Sequence, residues 1–367
     1  MDNLQLPDEN SEGDADGKKE PNYPAWRSEW IDYLIIGAVK GSAVELRLFD
    51  IDAGRQVLGK RYEIKSGSAR AMANHFSNAA LEHITGTPGV FGSEIVFASG
   101  PAKKRRIMKT TFGGEEIIQV SEDDGSINTQ PAIAPDGSMA WTRRKDKGSF
   151  DLLLNGRVVS SGVTHLSPAF KPDGSLVAAK TAPAKTSIYD FSVTPPKAMA
   201  DLGGINLSPT FSPDGSQMAF ASNKDGIMAI YITSTTAKDE PRRLASGHKA
   251  TDPAWSPTGE YIAFVMREKE ICIIRPDGTG FRQLTGDNYS RNYSPSFSPD
   301  GRLIVFSSDN SGRSANKSDL YIMGIDNSYN TPRLLMPKSS INQEQPRWRS
   351  ARPEADSVFP GVTDILR

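Results

Sequence analysis

Large apolar residues alternate with small ones along Gln217-Met-Ala-Phe-Ala-Ser222, the period-two pattern of a half-buried strand. Upstream, Ser208-Pro-Thr-Phe211 reads as a second short strand, and Ser212-Pro-Asp-Gly215 as the turn between them. Pro213 pre-sets φ at the first corner, Asp214 bonds back to the following backbone, and Gly215 takes a positive φ that a side chain resists. A lone hairpin of this kind is marginal in water. It needs neighbours.

The neighbours are copies. Pro131-Ala-Ile-Ala-Pro-Asp-Gly137 and Pro168-Ala-Phe-Lys-Pro-Asp-Gly174 precede it; Pro253-Ala-Trp-Ser-Pro-Thr-Gly259, Pro295-Ser-Phe-Ser-Pro-Asp-Gly301 and the truncated Pro346-Arg-Trp348 follow. The leading prolines are spaced by 37, 41, 44, 42 and 51 residues. Strand–turn–strand units at a period near forty predict a radial array of four-stranded sheets. Third strands are expected at Ala229–Thr233 and Asp319–Met323, and fourth strands near Arg242–Leu244, Arg282–Leu284 and Arg333–Leu335. Five units are complete. The sixth is split, with Pro346–Trp348 as its innermost strand and Ile95–Val120 as the rest, which closes the ring and removes free sheet edges. The expected fold is an all-β six-bladed β-propeller of WD40-like repeats, preceded by a small α+β domain. Three irregularities are expected: a short second strand at Met139–Trp141, an uneven third strand at Ile188–Val193, and a weaker turn where Thr258 replaces the aspartate.

Ahead of the repeats, Tyr33–Gly37, Val44–Phe49 and Arg55–Ile64 read as strands, and Ser68 as the N-cap of a helix over 69–84. Met72, Phe76, Ala79, Ala80 and Ile84 share one face of that helix, Gly86 ends it and Pro88 prevents its resumption. The domains are read as a disordered acidic tail and linker over 1–28, a partial α+β domain over 29–91, the propeller over 92–350 and a C-terminal tail over 351–367.

The formal net charge of −1 gives no basic surplus for a nucleic-acid partner. The single cysteine, Cys272, lies in an apolar strand and forms neither an intrachain disulfide nor a thiolate metal cluster. No run approaches the ~18 apolar residues of a membrane span, and Met1–Glu20 lacks the basic start and apolar core of a secretory signal.

The repeats, together with Asp32–Gly37, Leu48–Ile51, Gln56–Tyr62, Met72–Phe76, Leu81–Gly86 and Pro88–Phe91, resemble the TolB family, the periplasmic propeller proteins of the Tol–Pal envelope system, from about Asp32 to Trp348. The resemblance implies a non-enzymatic periplasmic scaffold that binds the lipoprotein Pal at the propeller mouth. It also implies a part in protein transport, cell division and outer-membrane integrity. Residues 1–20 match neither the family's cleavable signal nor the segment that engages TolA, and the small domain's first strand and helix have no counterpart here. The expectation is a start assigned too far downstream, with a reduced small domain as the alternative, and the TolA contact stays open.

The chemistry of the residues agrees with a binding protein. No Gly-x-Ser-x-Gly elbow, His-Glu-x-x-His pair or phosphate-binding glycine loop is present. His75, His83, His165 and His248 are scattered, and Lys103–Arg106 reads as a solvated hairpin loop. Asp136, Asp173, Asp214 and Asp300 are expected to cap their own turns, so no metal, cofactor or catalytic residue is assigned. The candidate site is the set of loops before the leading prolines, which should crowd one mouth of the channel: Asn128, Thr129, His165, Asn206, Thr251, Asp252, Asn292, Tyr293, Glu344 and Gln345. Two other readings stay open, an accessory propeller of the prolyl-oligopeptidase or tricorn type and a metal-dependent lactonase-like propeller. A closed ring points to a monomer.

Overall fold

The computed structural model describes residues 20–64, 69–112, 116–145, 148–236, 239–244, 247–286, 290–309, 317–326, 331–336, 341–349 and 362–365. Two compact units emerge, Met1–Phe91 with Pro353–Arg367, and Gly92–Arg352.

In the first unit, the Asn22 carboxamide accepts from the Ala25 N–H to start the short helix α1 (Tyr23–Ser28). Three antiparallel strands follow, β1 (Tyr33–Lys40), β2 (Ala43–Asp50) and β3 (Arg55–Glu63). Helix α2 (Ala69–Thr85) buries Met72, Phe76 and Ala80 against Leu48 and Tyr62 of the sheet. Ile84 does not join them; it stands in the helix's last turn, outside the buried cluster, and is 39% exposed. Gly86, at φ 76°, closes the helix through its N–H to the Glu82 carbonyl. The expected N-cap, Ser68, lies outside the described residues. The sequence read 351–367 as a tail, yet Thr363–Asp364 pairs antiparallel with Arg61 and Lys60 as a fourth strand on the outer side of β3.

The second unit is the propeller. Strands β4 (Glu94–Ser99), β5 (Arg106–Thr111) and β6 (Ile117–Gln119) form the outer part of the split blade. Blade 1 is β7 (Ile127–Ile133), β8 (Met139–Arg144), β9 (Asp151–Leu154) and β10 (Arg157–Ser160). Blade 2 is β11 (His165–Phe170), β12 (Leu176–Ala182), β13 (Lys185–Asp190) and β14 (Lys197–Ala200). Blade 3 is β15 (Asn206–Phe211), β16 (Gln217–Ser222), β17 (Ala229–Ser234) and β18 (Arg242–Arg243). Blade 4 is β19 (Ala250–Trp255), β20 (Ile262–Met266), β21 (Glu270–Ile274) and β22 (Arg282–Gln283). Blade 5 is β23 (Asn292–Phe297), β24 (Leu303–Ser308), β25 (Asp319–Gly324) and β26 (Arg333–Leu334). Strand β27 (Gln343–Arg349) pairs with β4 and completes blade 6. The innermost strands touch in succession, and β27 touches both β23 and β7, so the ring closes.

A sheet with two apolar faces needs a sheet on each side. Each large core cluster is accordingly shared by two blades: Ile230 and Ile232 of blade 3 meet Trp255, Ile262 and Phe264 of blade 4, and Ala263 and Ile273 of blade 4 meet Phe297 and Phe306 of blade 5. Phe97, Phe220, Phe264 and Phe306, on the second strands of blades 6, 3, 4 and 5, are fully buried, each contributing roughly 1.5–3 kcal/mol.

The turn chemistry follows the sequence. Asp136, Asp173, Asp214 and Asp300 each accept the N–H two residues on, at 2.8 to 3.1 Å. The glycines beside them have φ between 72° and 91° at Gly137, Gly174, Gly215 and Gly301. Two of the three expected irregularities are milder than the sequence suggests. Thr258 keeps a local bond, with Glu260 N–H donating to its hydroxyl at 3.4 Å. Strand β13 pairs with β12 in unbroken register, but its pairing with β14 slips between Ile188 and Tyr189 and it ends at Asp190, so the unevenness expected there is present; β8, in contrast, is as long as β16.

Candidate functional site

Each innermost strand contains the same local break. Gln130, Ser167, Ser208, Asp252, Ser294 and Gln345 immediately precede the leading prolines and all have φ between 48° and 57°. Proline disfavours the right-handed helical region for the residue before it, and here that residue takes the left-handed one. The register against the second strand slips at the same point in every blade. A β-bulge of this kind re-aims a side chain.

The re-aimed residues reach one another around the channel. Gln345 Oε1 accepts from Thr129 Oγ1 at 2.7 Å and from the Gln130 N–H at 2.8 Å. Gln130 Oε1 accepts from the Ser167 N–H at 3.0 Å, and the Ser167 and Ser208 hydroxyls stand 3.4 Å apart. Ser208 Oγ donates to Asp252, which also accepts from the Ser294 N–H. The chain of contacts crosses all six blades. Beyond the prolines, Thr210 Oγ1 and Ser296 Oγ accept the N–H groups of Trp255 and Trp348 from the next blade.

Two charges face this channel. Asp252 and Arg347 are both largely covered by protein, and each feels the other's charge. Burial raises the Asp252 carboxyl above the ordinary carboxylate range, against the opposing pull of Arg347 and the Ser208 hydroxyl. Burial likewise lowers the Arg347 guanidinium, with Asp252 opposing.

All ten candidate residues lie within innermost strands rather than in the connecting loops, because the bulge carries each strand past its proline instead of starting there. They divide into two sets. Asn128, His165, Asn206 and Asn292 are buried, three residues before the proline. Their side chains latch onto backbone carbonyls outside their own strands: Asn128 donates to Arg105, Asn206 to Thr186 and Asn292 to Lys269, while His165 Nδ1 lies 3.2 Å from the Phe150 carbonyl. These four are not available to a partner in the folded ring. Thr129, Thr251, Asp252, Tyr293, Glu344 and Gln345 remain half-exposed.

The rim carries an ion pair the sequence did not connect. Arg105, read as part of a solvated basic loop, holds Glu344 at 2.8 Å, and the Ser318 hydroxyl adds a bond to the same carboxylate. Burial pushes the neighbouring Tyr293 phenol up to about 12. Gln130, Ser167, Ser208, Ser294 and Arg347 were also missed as channel-lining residues. Their signal was available, since each stands at a fixed phase to a leading proline. Among the described residues no group of three or more His, Cys, Asp or Glu is placed to hold a metal ion, and no helix is long and apolar enough to cross a membrane.

This architecture defines a six-bladed β-propeller with a polar, bulge-lined channel. The family model described as the TolB beta propeller domain matches residues 81–352, and the chain belongs to that family. It is 33% identical to the Tol-Pal system protein TolB of Desulfosudis oleivorans over 42% of this chain and 37% of that protein. It is 31% identical to the protein TolB homolog of Chlorobium luteolum over 72% of this chain and 64% of that protein. The match thus spans between about a third and two thirds of these curated relatives. The crystal structure of TolB from Acinetobacter baumannii superposes with a TM-score of 0.78 at 23% identity, covering 90% of this chain and 86% of that one; it supports the fold.

Proposed function

We propose that this chain is a non-enzymatic, periplasmic component of a Tol–Pal system that binds the lipoprotein Pal at the mouth where the innermost strands enter the channel, and so supports outer-membrane integrity and division. The observation that carries the reading is the family match across the propeller, since relatives matching this chain are named Tol-Pal system proteins. The half-exposed rim of Thr129, Thr251, Tyr293 and Glu344 supports the choice of mouth: polar groups on a rigid closed scaffold are a common form of binding surface.

The test is a pull-down of this chain against the periplasmic domain of its own organism's Pal, with TolA as a separate arm. Thr251→Arg places a bulky charge on the rim and Asp252→Ala removes the channel carboxylate. Capture of Pal that both variants weaken supports the reading. Capture indifferent to both moves the site elsewhere, and no capture of Pal by the unaltered chain overturns the proposal.

A further inference from the structure

The six blades differ in charge where they meet the mouth. The last residues of each second strand lie opposite the start of its innermost strand, and in blade 1 these are Arg143, opposite Asn128, and Arg144, opposite Ile127. In blade 2 the residue matching Arg143 is Lys180, opposite His165. The same position holds Ser222 in blade 3, Met266 in blade 4, Ser308 in blade 5 and Ser99 in blade 6. Positive charge is concentrated on one sector. Strand alternation aims it into the two clefts beside blade 1. Trp141 packs with Ala98 and Ile107 of blade 6, so Arg143, two residues on, faces that cleft. Ala140 and Ala178 share a cluster between blades 1 and 2, so Arg144 and Lys180, of matching parity, face the other.

These three cations have no carboxylate of their own. The neighbouring acids are already taken: Arg105 holds Glu344, Arg106 and Lys104 hold Asp123, and Lys145 holds Asp124 at 3.3 Å. Arg143 makes no hydrogen bond or ion pair among the described residues, not even with Asp151 opposite it on β9, and its Nε is buried without a partner. Arg144 stands over the Phe150 ring at 4.8 Å and Lys180 over the Tyr189 ring at 5.8 Å, and neither donates a hydrogen bond there. A half-buried cation gives up hydration, and here no charge inside the chain offsets that cost. The complementary charge has to come from outside.

We infer that the blade 1 sector of the mouth docks an acidic segment of a protein partner, with one carboxylate entering the cleft at Arg143 and another the cleft at Arg144 and Lys180. The inference rests on the reading of this mouth as the docking face and adds the chemistry of what it takes. A guanidinium fork bonds a carboxylate through two parallel N–H groups, and arginine is enriched at the cores of protein interfaces. A nucleic-acid backbone or an anionic lipid surface fits less well. The sector is only three cations wide, and Glu344, Asp123 and Asp124 flank it and repel an extended polyanion. The chain's net charge of −1 also supplies no wider basic field to hold one.

Fluorescence anisotropy of labelled hexaglutamate, titrated with the full chain at low and at physiological salt, tests this. The unaltered chain is expected to bind saturably, and more weakly as salt rises. The double variant Arg143→Glu with Lys180→Glu should bind hexaglutamate roughly tenfold more weakly or worse. It should also gain binding to labelled hexalysine, which loss of folding cannot produce. The same reversal at Arg157 and Lys197, on the outermost strands of the same two blades, changes net charge equally and should leave both titrations as they are. Three results overturn the inference: no binding of hexaglutamate, equal binding by the mouth and outer-strand variants, or tighter binding of a single-stranded hexanucleotide than of hexaglutamate. Failure of the unaltered chain to capture Pal, with hexaglutamate still bound at this sector, counts against the Pal reading alone.

Discussion

Thr129 Oγ1 donates to Gln345 Oε1 at 2.7 Å across a gap of 216 residues in the chain, tying the innermost strand of blade 1 to that of the split blade. The same carboxamide oxygen accepts the Gln130 N–H, so one side chain serves two donors at the seam of the ring. Gln345→Ala should lower unfolding stability by about 1–3 kcal/mol, because it strands a hydroxyl and a backbone N–H inside the channel. Chemical denaturation with an unchanged m-value checks this.

The seam's other fastening is ionic. Arg349 of β27 holds Glu94 of β4, and Lys109 holds the same carboxylate at 2.6 Å. Burial pushes the Glu94 carboxyl up, but the bonds from Lys109 and Arg349 outweigh it and hold it below the ordinary range. A depressed carboxylate stabilises the fold above its unfolded value, about 4.3, and the stabilisation is lost as pH falls through the folded value. Glu94→Gln should therefore cost roughly 2 kcal/mol at neutral pH, less than a fully buried pair because some solvent reaches Glu94. The difference from the unaltered chain should vanish in acid. Melting temperatures of both proteins across that range decide the matter.

His165 occupies the latch position that asparagine holds in three other blades. Its ring packs edge-on against Phe191 at 5.6 Å, and Nε2 is buried without a partner. Burial pushes the imidazole below its ordinary value, with the Phe150 carbonyl opposing. The unfolded chain thus takes up a proton near pH 6.5 before the folded chain does, so stability falls as pH drops below about 6.5. His165→Asn restores a neutral amide able to donate to the Phe150 carbonyl. The variant should lose this part of the acid sensitivity, read as a flatter denaturation midpoint between about pH 7 and pH 5.

Turn repair offers a gain. At Thr258 the local bond to Glu260 is 3.4 Å long, against 2.8 to 3.1 Å in the aspartate turns. Thr258→Asp should shorten it and raise stability by about 0.5–1 kcal/mol. Calorimetry of the single variant measures the net effect.

The repeat, the blade number and the split blade were legible in the amino-acid order because they rest on local chemistry. A Pro-Asp-Gly corner bends wherever it occurs, and alternating Met218 and Phe220 read as a strand, although the neighbouring blades bury both of its faces. The same holds for α2, whose C-terminal end follows from Gly86 and whose buried face follows from Met72, Phe76 and Ala80. Tertiary structure decided what polarity alone could not. Asn128, His165, Asn206 and Asn292 look like solvent-facing loop residues, yet hairpins packed over them supply carbonyls and bury them. Arg105 meets Glu344, and Thr363–Asp364 returns to β3, only because the ring and the sheet bring distant segments together. The left-handed backbone before each leading proline belongs to the same class. Proline there predicts extended chain, and the closure of six strands around one axis imposes the bulge that turns Gln130, Ser167, Ser208, Asp252, Ser294 and Gln345 into a single lining.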